Sequence, residues 1–261
     1  MPTTYPSYVA KELTFPGPVQ QGAGGMTAKR VQEWVTFHGF ATPVDGDFGP
    51  ATEICVREFQ TAKGLSATGI VDAQTWKALV GPLDNALRMP VVASGATLAG
   101  VVLKVAKQHL AEHPIELGGN NRGVWVRVYM SGNQGDDRLW CAGFVTFVMK
   151  QACMALERQP PIAGSQSCDS LAYQAKEAGL FVKGTDVASG TVQWPELGAS
   201  QIFLVRRTST DWTHTGFSFE GSGVTYSTVE GNTNDAGSGE GNEVCQRTRS
   251  VAKKDFIRLP A

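Results

Sequence analysis

The chain has 261 residues, of which 42% are hydrophobic and 18% charged, with a formal net charge of −1, a composition ordinary for a globular protein built from two compact units. Residues 1–90 carry 7 Lys and Arg against 8 Asp and Glu, and residues 91–261 carry 16 against 16, so neither part has the basic surface that a nucleic acid partner requires. The 30 glycines and 13 prolines indicate many turns, and we expect an α+β chain.

The first 25 residues are rich in Pro, Gly and Thr and show no sustained hydrophobic period, so we predict an irregular lead-in over 1–25. They lack the basic and apolar regions of a Sec signal peptide. The most apolar stretch, residues 89–106, contains Gly, Ser, Thr and Lys and is too polar for a membrane span, so no stable membrane insertion is expected. Five cysteines without a C-x-x-C pair favour synthesis in a reducing cytosol.

A repeated turn and helix follows this lead-in. "TAKRVQEWVTFHGF" places Val31, Trp34 and Val35 on one helical face. "VDGDFGPATEICVREFQTAKG" then has an acidic glycine turn, Pro50 at a first helical position, and apolar residues within the helix, namely Ile54, Val56 and Phe59. "ATGIVDAQTWKALVG" repeats the pattern in shorter form, with Asp72 as the predicted N-cap.

This duplication, with D-G-x-F-G-x-x-T and then F-Q-x-x-x-G-L-x-x-T-G-x-V-D-x-x-T-W, resembles the small three-helix peptidoglycan-binding domain that is attached to cell-wall hydrolases. We therefore predict such a wall-binding domain over residues 26–80, followed by a Pro/Gly/Ala/Ser-rich linker over 81–96. The resemblance implies bacterial peptidoglycan as the partner. Phe48, Phe59 and Trp76 are expected to be core residues rather than ligand contacts, because large aromatic side chains are mostly buried.

The remaining residues, 97–261, indicate a second domain. Apolar residues at helical spacing predict a helix over 97–110 and another that begins at residue 169 and is ended by Gly179. "GGNNRGVWVRVYM" at 118–130 is interpreted as a loop leading into alternating residues. The last 60 residues are short β-rich runs separated by Gly, Asn and Asp. Helices followed by antiparallel strands predict an α+β domain.

Cys141 in "RLWCAGFVTFVMK" opens a predicted helix. Cys141, Phe144, Val145 and Val148 recur at i, i+3, i+4 and i+7, so the cysteine begins the apolar stripe. Unpaired N–H groups and the helix dipole at the first turn favour a thiolate and suit a nucleophile. The alternative is a small core residue, because free cysteine is among the most buried residue types.

A thiol nucleophile requires a nearby base, and His214 is the single histidine after position 113. It begins an alternating strand. Glu230 follows sixteen residues later, a spacing that allows a hairpin to place it beside the imidazole. Asn232 points to the same side if the extended geometry continues. We interpret Cys141, His214, Glu230 and Asn232 as a candidate catalytic group, with the other four cysteines structural.

A helix that opens with W-C-A-x-F-V, then H-x-G-F, then E-G-N-T, resembles the CHAP family of cysteine-dependent amidohydrolases and peptidases over about residues 97–260. The resemblance implies a papain-like fold, in which Cys141 is the nucleophile, His214 the base, and Glu230 and Asn232 orient the histidine. The stretch "LGASQIFLV" departs from the family, because it lacks the Gly-Asp that often opens that strand.

Other residues near the predicted site have weaker signals. Trp140 and Trp212 could line a substrate groove, although packing is an equal alternative. The resemblance also implies a candidate calcium site, because some CHAP members bind calcium through an acidic loop before the cysteine, where this chain has Asp136 and Asp137. Two adjacent acids beside glycine are more often a solvated turn. We therefore expect no metal and no cofactor.

The predicted function is hydrolysis of an amide bond in peptidoglycan, either N-acetylmuramoyl-L-alanine or a peptide bond in the stem or cross-bridge. A phage or prophage endolysin is the first interpretation. A secreted antibacterial effector with the same chemistry, and a wall-binding protein without catalysis, are the alternatives. We expect a monomer made in the cytoplasm that acts on the wall after holin release or delivery by a secretion system.

Overall fold

The computed structural model describes residues 5–234 and 241–260. Its helices in chain order are α1 Ser7–Leu13, α2 Gly25–Phe37, α3 Pro50–Ala62, α4 Ala73–Leu79, α5 Gly81–Leu87, α6 Leu98–Ala111, α7 Val124–Tyr129, α8 Cys141–Ala155, α9 Cys168–Glu177, α10 Gly184–Ala188 and α11 Trp194–Leu197. Its strands are β1 Phe181–Lys183, β2 Ser200–Thr208, β3 Asp211–Ser222, β4 Thr225–Thr233, β5 Glu243–Ser250 and β6 Lys254–Arg258.

The strands form one six-stranded antiparallel sheet in the order β1-β6-β2-β3-β4-β5. Together with the helices it confirms the predicted α+β class. Within the described residues, none of the helices has the length and apolar character needed to cross a bilayer.

The chain divides into two compact units. Unit 1 comprises residues 1–85 and 115–138, and unit 2 comprises residues 86–114 and 139–261. This differs from the predicted boundaries, since residues 115–138 were expected in the catalytic domain. Three local predictions also differ. The predicted linker over 81–96 begins with the helix α5. The described part of the lead-in contains α1, and the predicted loop at 118–130 contains α7.

The repeat in unit 1 is visible as two equivalent hydrogen-bonded turns. In the first, Gln32 Oε1 accepts from the Gly46 N–H, while Gln32 Nε2 donates to Asp47 O and to Thr52 Oγ1. In the second, Gln60 Oε1 accepts from the Gly69 N–H, while its Nε2 donates to the carbonyl of Ile70 and the hydroxyl of Thr75. Each buried glutamine amide therefore fixes the turn that precedes the next helix.

The predicted helix signals of unit 1 agree with the structure, with one exception. Pro50 lies in the first turn of α3, and Asp72 caps α4 by accepting from the Thr75 N–H at 2.8 Å. The shared core of α2, α3 and α4 contains Val31, Trp34, Val35, Phe48, Val56, Phe59, Trp76 and Leu79. Ile54, predicted on the apolar face, is 58% exposed because it falls on the opposite side of α3.

Residues 115–138 are held in unit 1 by a buried charge cluster. Arg127 on α7 donates to both carboxylate oxygens of Glu12 at 2.9 Å and to those of Glu33 at 2.8 and 2.6 Å. All three side chains are buried. Because buried charges require close partners, this cluster ties α1, α2 and α7 together.

Unit 2 packs α8 against the middle of the sheet. α8 contacts β3 and β4, α6 packs on α8, and α9 packs on β3. The rings of Phe144 and Phe217 meet edge to face with centroids 6.0 Å apart, which joins α8 to β3. A second cluster that includes Phe203, Tyr226 and Phe256 packs with Trp194. The start of α8 is thereby fixed beside the paired strands β3 and β4.

Candidate active site

Cys141 is the first residue of α8, as the sequence predicted. Trp140 occupies the N-cap position and supplies no side-chain cap. First-turn N–H groups of a helix lack partners within the helix and favour a negative charge. The Ala142 N–H interacts with the Cys141 sulfur and helps to lower the pKa of the thiol.

β3 and β4 bring His214 and Glu230 together. The strands pair antiparallel with Phe217 opposite Val229. His214 Nε2 lies 2.8 Å from Glu230 Oε2. Gly216 makes room for this contact, because a Cβ there would lie 2.9 Å from Glu230 Cγ and 2.8 Å from Phe203 Cε1.

The Glu230 carboxylate is completely buried and accepts four hydrogen bonds. Besides His214, Arg249 on β5 donates Nε to Oε1 at 2.6 Å and Nη2 to Oε2 at 2.5 Å, and Thr228 donates its hydroxyl to Oε1 at 2.6 Å. Burial raises the pKa of this carboxyl, but Arg249 and His214 outweigh burial and lower the pKa to about 2. Glu230 is therefore ionised at neutral pH.

The pKa values of the Cys141 thiol and the His214 imidazole are shifted in opposite directions, which favours a thiolate beside an imidazolium. Burial lowers the pKa of His214, but interactions with Cys141 and Glu230 raise it to about 9. The pKa of Cys141 lies well below its usual value because of a hydrogen bond from Cys168 and the interaction with His214, which together overcome burial. Glu230 occupies Nε2, so Nδ1 is the nitrogen left for the thiol. Nδ1 is buried and has no hydrogen-bond partner among the described residues.

Cys168 was predicted to be structural, and that role stays a prediction, although the residue lies beside Cys141. It is the first residue of α9, and its Sγ lies 3.9 Å from Cys141 Sγ. Asp169 Oδ1 accepts from the Trp212 N–H at 2.6 Å, which joins the start of α9 to β3 two residues before His214. None of the five cysteines, all of which lie in the described residues, forms a disulfide.

Asn232 lies two residues after Glu230 on β4 and is buried. Its backbone is left-handed, with φ of 56°, so extended geometry does not continue to this residue. Its Oδ1 has no hydrogen-bond partner among the residues that the structure describes. Its role in orienting the histidine stays a prediction.

Trp140 and Trp212 were considered as residues that line a substrate groove, but neither lies at an open surface. Trp140 is fully buried and lies against Gly231, where a Cβ would be 2.8 Å from its Cζ3. Trp212 is also buried, and its Nε1 donates to Asp255 Oδ2 at 2.9 Å. Packing is therefore the role that the geometry supports. Cys141 and His214 are themselves only 4% and 3% exposed.

Asp136 and Asp137 lie in unit 1, where each pairs with an arginine at 3.5 Å, Arg122 and Arg138 respectively. Over residues 5–234 and 241–260, no group of three or more His, Cys, Asp or Glu side chains is arranged to hold a metal ion. The donor set that a calcium loop would need is not assembled around these two acids.

Two contributors to the site were not found from the sequence, namely Arg249 and Cys168. A signal existed for the arginine, since Arg247 and Arg249 alternate on one strand and a buried carboxylate needs a cation. Cys168 had the signal of a cysteine directly after a capping serine at the start of a helix.

Comparison with known proteins identifies the wall-binding part. Residues 25–79 match a family of peptidoglycan binding domains, PG_binding_1. The chain is also similar to a zinc D-Ala-D-Ala carboxypeptidase from Streptomyces albus G, with 35% identity over 75 residues. That similarity covers 28% of this chain and 29% of the relative. The family match falls on the repeat with the paired glutamine turns.

Proposed function

We propose that this protein is a peptidoglycan hydrolase that cleaves an amide bond with Cys141 as the nucleophile. The observation that carries the proposal is the cysteine at the start of α8, paired with a histidine that is itself bonded to a buried carboxylate. The peptidoglycan-binding match at residues 25–79 supports the polymer as the substrate. A wall-binding unit in the same chain raises the local substrate concentration by tethering.

In the first half-reaction, the Cys141 thiolate attacks the amide carbonyl carbon and forms a tetrahedral oxyanion. N–H groups in the first turn of α8 are placed to stabilise that negative charge. His214 then gives its Nδ1 proton to the departing amine, the C–N bond breaks, and a thioester remains on Cys141.

In the second half-reaction, neutral His214 takes a proton from water, and the resulting hydroxide attacks the thioester. The C–S bond breaks, the carboxylic acid product leaves, and the thiolate and imidazolium return. Glu230 fixes the ring through Nε2, and Arg249 fixes Glu230. Because Cys141 is 4% exposed, side chains around the sulfur must move apart to admit a polymer.

The test measures the release of soluble fragments from purified sacculi. Cys141→Ala is expected to abolish the release of soluble fragments while binding to sacculi persists. Cys153→Ala, a buried cysteine on the same helix and outside the site, is the matched control. Mass spectrometry of the fragments identifies the amide that is cut. Undiminished release by Cys141→Ala would overturn the proposal.

A metal-dependent hydrolase is the second candidate, because the similar Streptomyces protein is named a zinc carboxypeptidase. Iodoacetamide and a chelator separate the two candidates in one assay. Loss of fragment release with iodoacetamide and retention with the chelator support the cysteine. The reverse result supports a metal. Binding to sacculi without release by any preparation supports the non-catalytic alternative.

A further inference from the structure

Cys168 has no task in the proposed mechanism, yet its sulfur is 3.9 Å from the sulfur of Cys141. A disulfide bond is about 2.05 Å long, so the two atoms need to approach by only about 2 Å. Each cysteine is the first residue of its helix, where a change of side-chain rotamer or a small shift of the helix end can provide this movement.

We propose that Cys141 and Cys168 are a thiol-modification site, which closes to a reversible disulfide when the protein meets a hydroperoxide. The disulfide removes the nucleophile and stops hydrolysis. The loss of hydrolysis rests on the proposed function, whereas formation of the disulfide does not.

The two thiols differ in the way that such a reaction requires. The pKa of Cys141 is lowered, so its thiolate is the nucleophile toward a peroxide. The pKa of Cys168 is raised well above its usual value by its hydrogen bond to Cys141 and by burial, with Asp169 contributing, so it keeps its proton. Cys141 is therefore oxidised first, and Cys168 acts as the resolving thiol.

In the first step, the Cys141 thiolate attacks the peroxide, an S–O bond forms and the O–O bond breaks. The sulfur is oxidised to a sulfenic acid, and the leaving alkoxide takes a proton from the His214 imidazolium to give an alcohol, or water in the case of hydrogen peroxide. In the second step, Cys168 sulfur attacks Cys141 sulfur, the S–S bond forms and the S–O bond breaks. The hydroxyl leaves with the Cys168 proton as water.

Cys55 and Cys153 do not have this arrangement. Burial raises the pKa of Cys153 to about 11, and burial also raises the pKa of Cys55. A protonated thiol reacts slowly with peroxide, so oxidation is expected to be selective for the pair over these two cysteines.

The experiment treats the reduced full-length protein with hydrogen peroxide, followed by intact-mass measurement and peptide mapping. We expect a mass loss of two hydrogen atoms, a linked pair of peptides that contain Cys141 and Cys168, and a complete loss of fragment release. Dithiothreitol is expected to restore both the mass and the release. Cys153→Ala, the matched control, should behave as the wild type does.

Cys168→Ser supplies the second measurement, after its thermal melt shows that it is folded. In this variant we expect a sulfenic acid on Cys141 that dimedone traps, and then over-oxidation that dithiothreitol does not reverse. Wild-type protein that instead accumulates dimedone-labelled Cys141, or that links Cys141 to another cysteine, would overturn the inference.

The two proposals fail in different ways. If reduced protein releases no fragments but the linked peptides form, the modification site stands and the proposed function fails. If reduced protein releases fragments and peroxide produces no link, the inference fails and the proposed function stands.

Discussion

Glu230 shows how single residues set the chemistry of this site. Its carboxylate is fully buried, which alone would favour the neutral form. Two N–H groups of Arg249, together with His214, keep it charged, and Cys141 and the charged carboxylate in turn raise the pKa of His214. The imidazolium then lowers the pKa of Cys141. The protonation state of Cys141 thus depends on Arg249, which acts through Glu230 and His214.

The first prediction concerns pH. The pKa of His214 is raised to about 9, so the imidazolium persists up to that pH, while the lowered pKa of Cys141 keeps the thiolate present below it. We expect kcat/KM for fragment release to form a plateau around neutral pH and to fall as pH rises through about 9, because the leaving amine loses its proton donor.

Glu230→Gln is the informative variant for this profile. It removes a cause of the raised histidine pKa, so the alkaline limb should move to lower pH, and kcat should fall by about 10²-fold or more. Glu220→Gln, an exposed position on β3, is the control. An unchanged alkaline limb in Glu230→Gln would contradict this explanation.

The second prediction concerns Arg249. Arg249→Met leaves the Glu230 charge buried without its bidentate partner, and we expect a loss of about 3 kcal/mol in the free energy of unfolding in urea. The double variant Glu230→Gln with Arg249→Met should recover part of this loss. Arg247→Met is the control, with an expected loss of about 1 kcal/mol, because the partners of the Arg247 guanidinium within the described residues are the neutral oxygens of Thr233 and Asn234. Equal losses in the single and double variants would argue against the buried charge.

At the scale of elements, the site depends on how closely α8 approaches β4. The E-G-N stretch places Gly231 under the first turn of α8, where a Cβ would lie 2.8 Å from the Trp140 ring and 2.9 Å from Phe144 Cβ. Both neighbours are fully buried and cannot move outward freely. The glycine is thus required for space, and it allows a helix that begins with the nucleophile to lie against the strand that carries the carboxylate.

The third prediction follows from that contact. Gly231→Ala should push the start of α8 away from β4, lower the free energy of unfolding by about 1–3 kcal/mol, and reduce fragment release. The rate of Cys141 alkylation by iodoacetamide at neutral pH should also fall, because the thiolate loses its neighbours. Gly81→Ala is the control, since a Cβ there meets nothing within 4 Å. Unchanged alkylation in a folded Gly231→Ala protein would refute the role given to this contact.

At the scale of the whole molecule, the two units are not consecutive along the chain. Residues 115–138 belong to unit 1, although they lie between segments of unit 2. Arg127 in this segment has Glu12 and Glu33 as its buried partners. Truncation between the wall-binding helices and the rest of the chain therefore separates the members of a buried ion cluster, because Arg127 lies on one side of the truncation point and Glu12 and Glu33 lie on the other.

The fourth prediction tests this organisation by truncation. A chain that begins at residue 86 lacks Glu12 and Glu33, so α7 loses the partners of its buried arginine. We expect trypsin to cut this shortened chain after Arg127 much faster than it cuts the full-length protein, in which Arg127 is buried. Mass spectrometry of a proteolysis time course measures the difference. Equal protection of Arg127 in both chains would contradict the assignment of 115–138 to unit 1.

Local signals in the sequence determined the repeat of unit 1, the cap at Asp72, the α+β class, and Cys141 at the start of a helix. These features depend on hydrophobic periods and capping residues within a few positions of one another. Because His214 is the single histidine after position 113 and Glu230 follows at hairpin spacing, the sequence also predicted that these two side chains meet, as they do. Only the tertiary structure decided that Arg249 and Cys168 join them, that Arg127 binds two distant glutamates, and that Trp140 and Trp212 are buried. Those outcomes depend on which elements pack side by side, and contacts between residues far apart in the chain leave no local periodicity to detect.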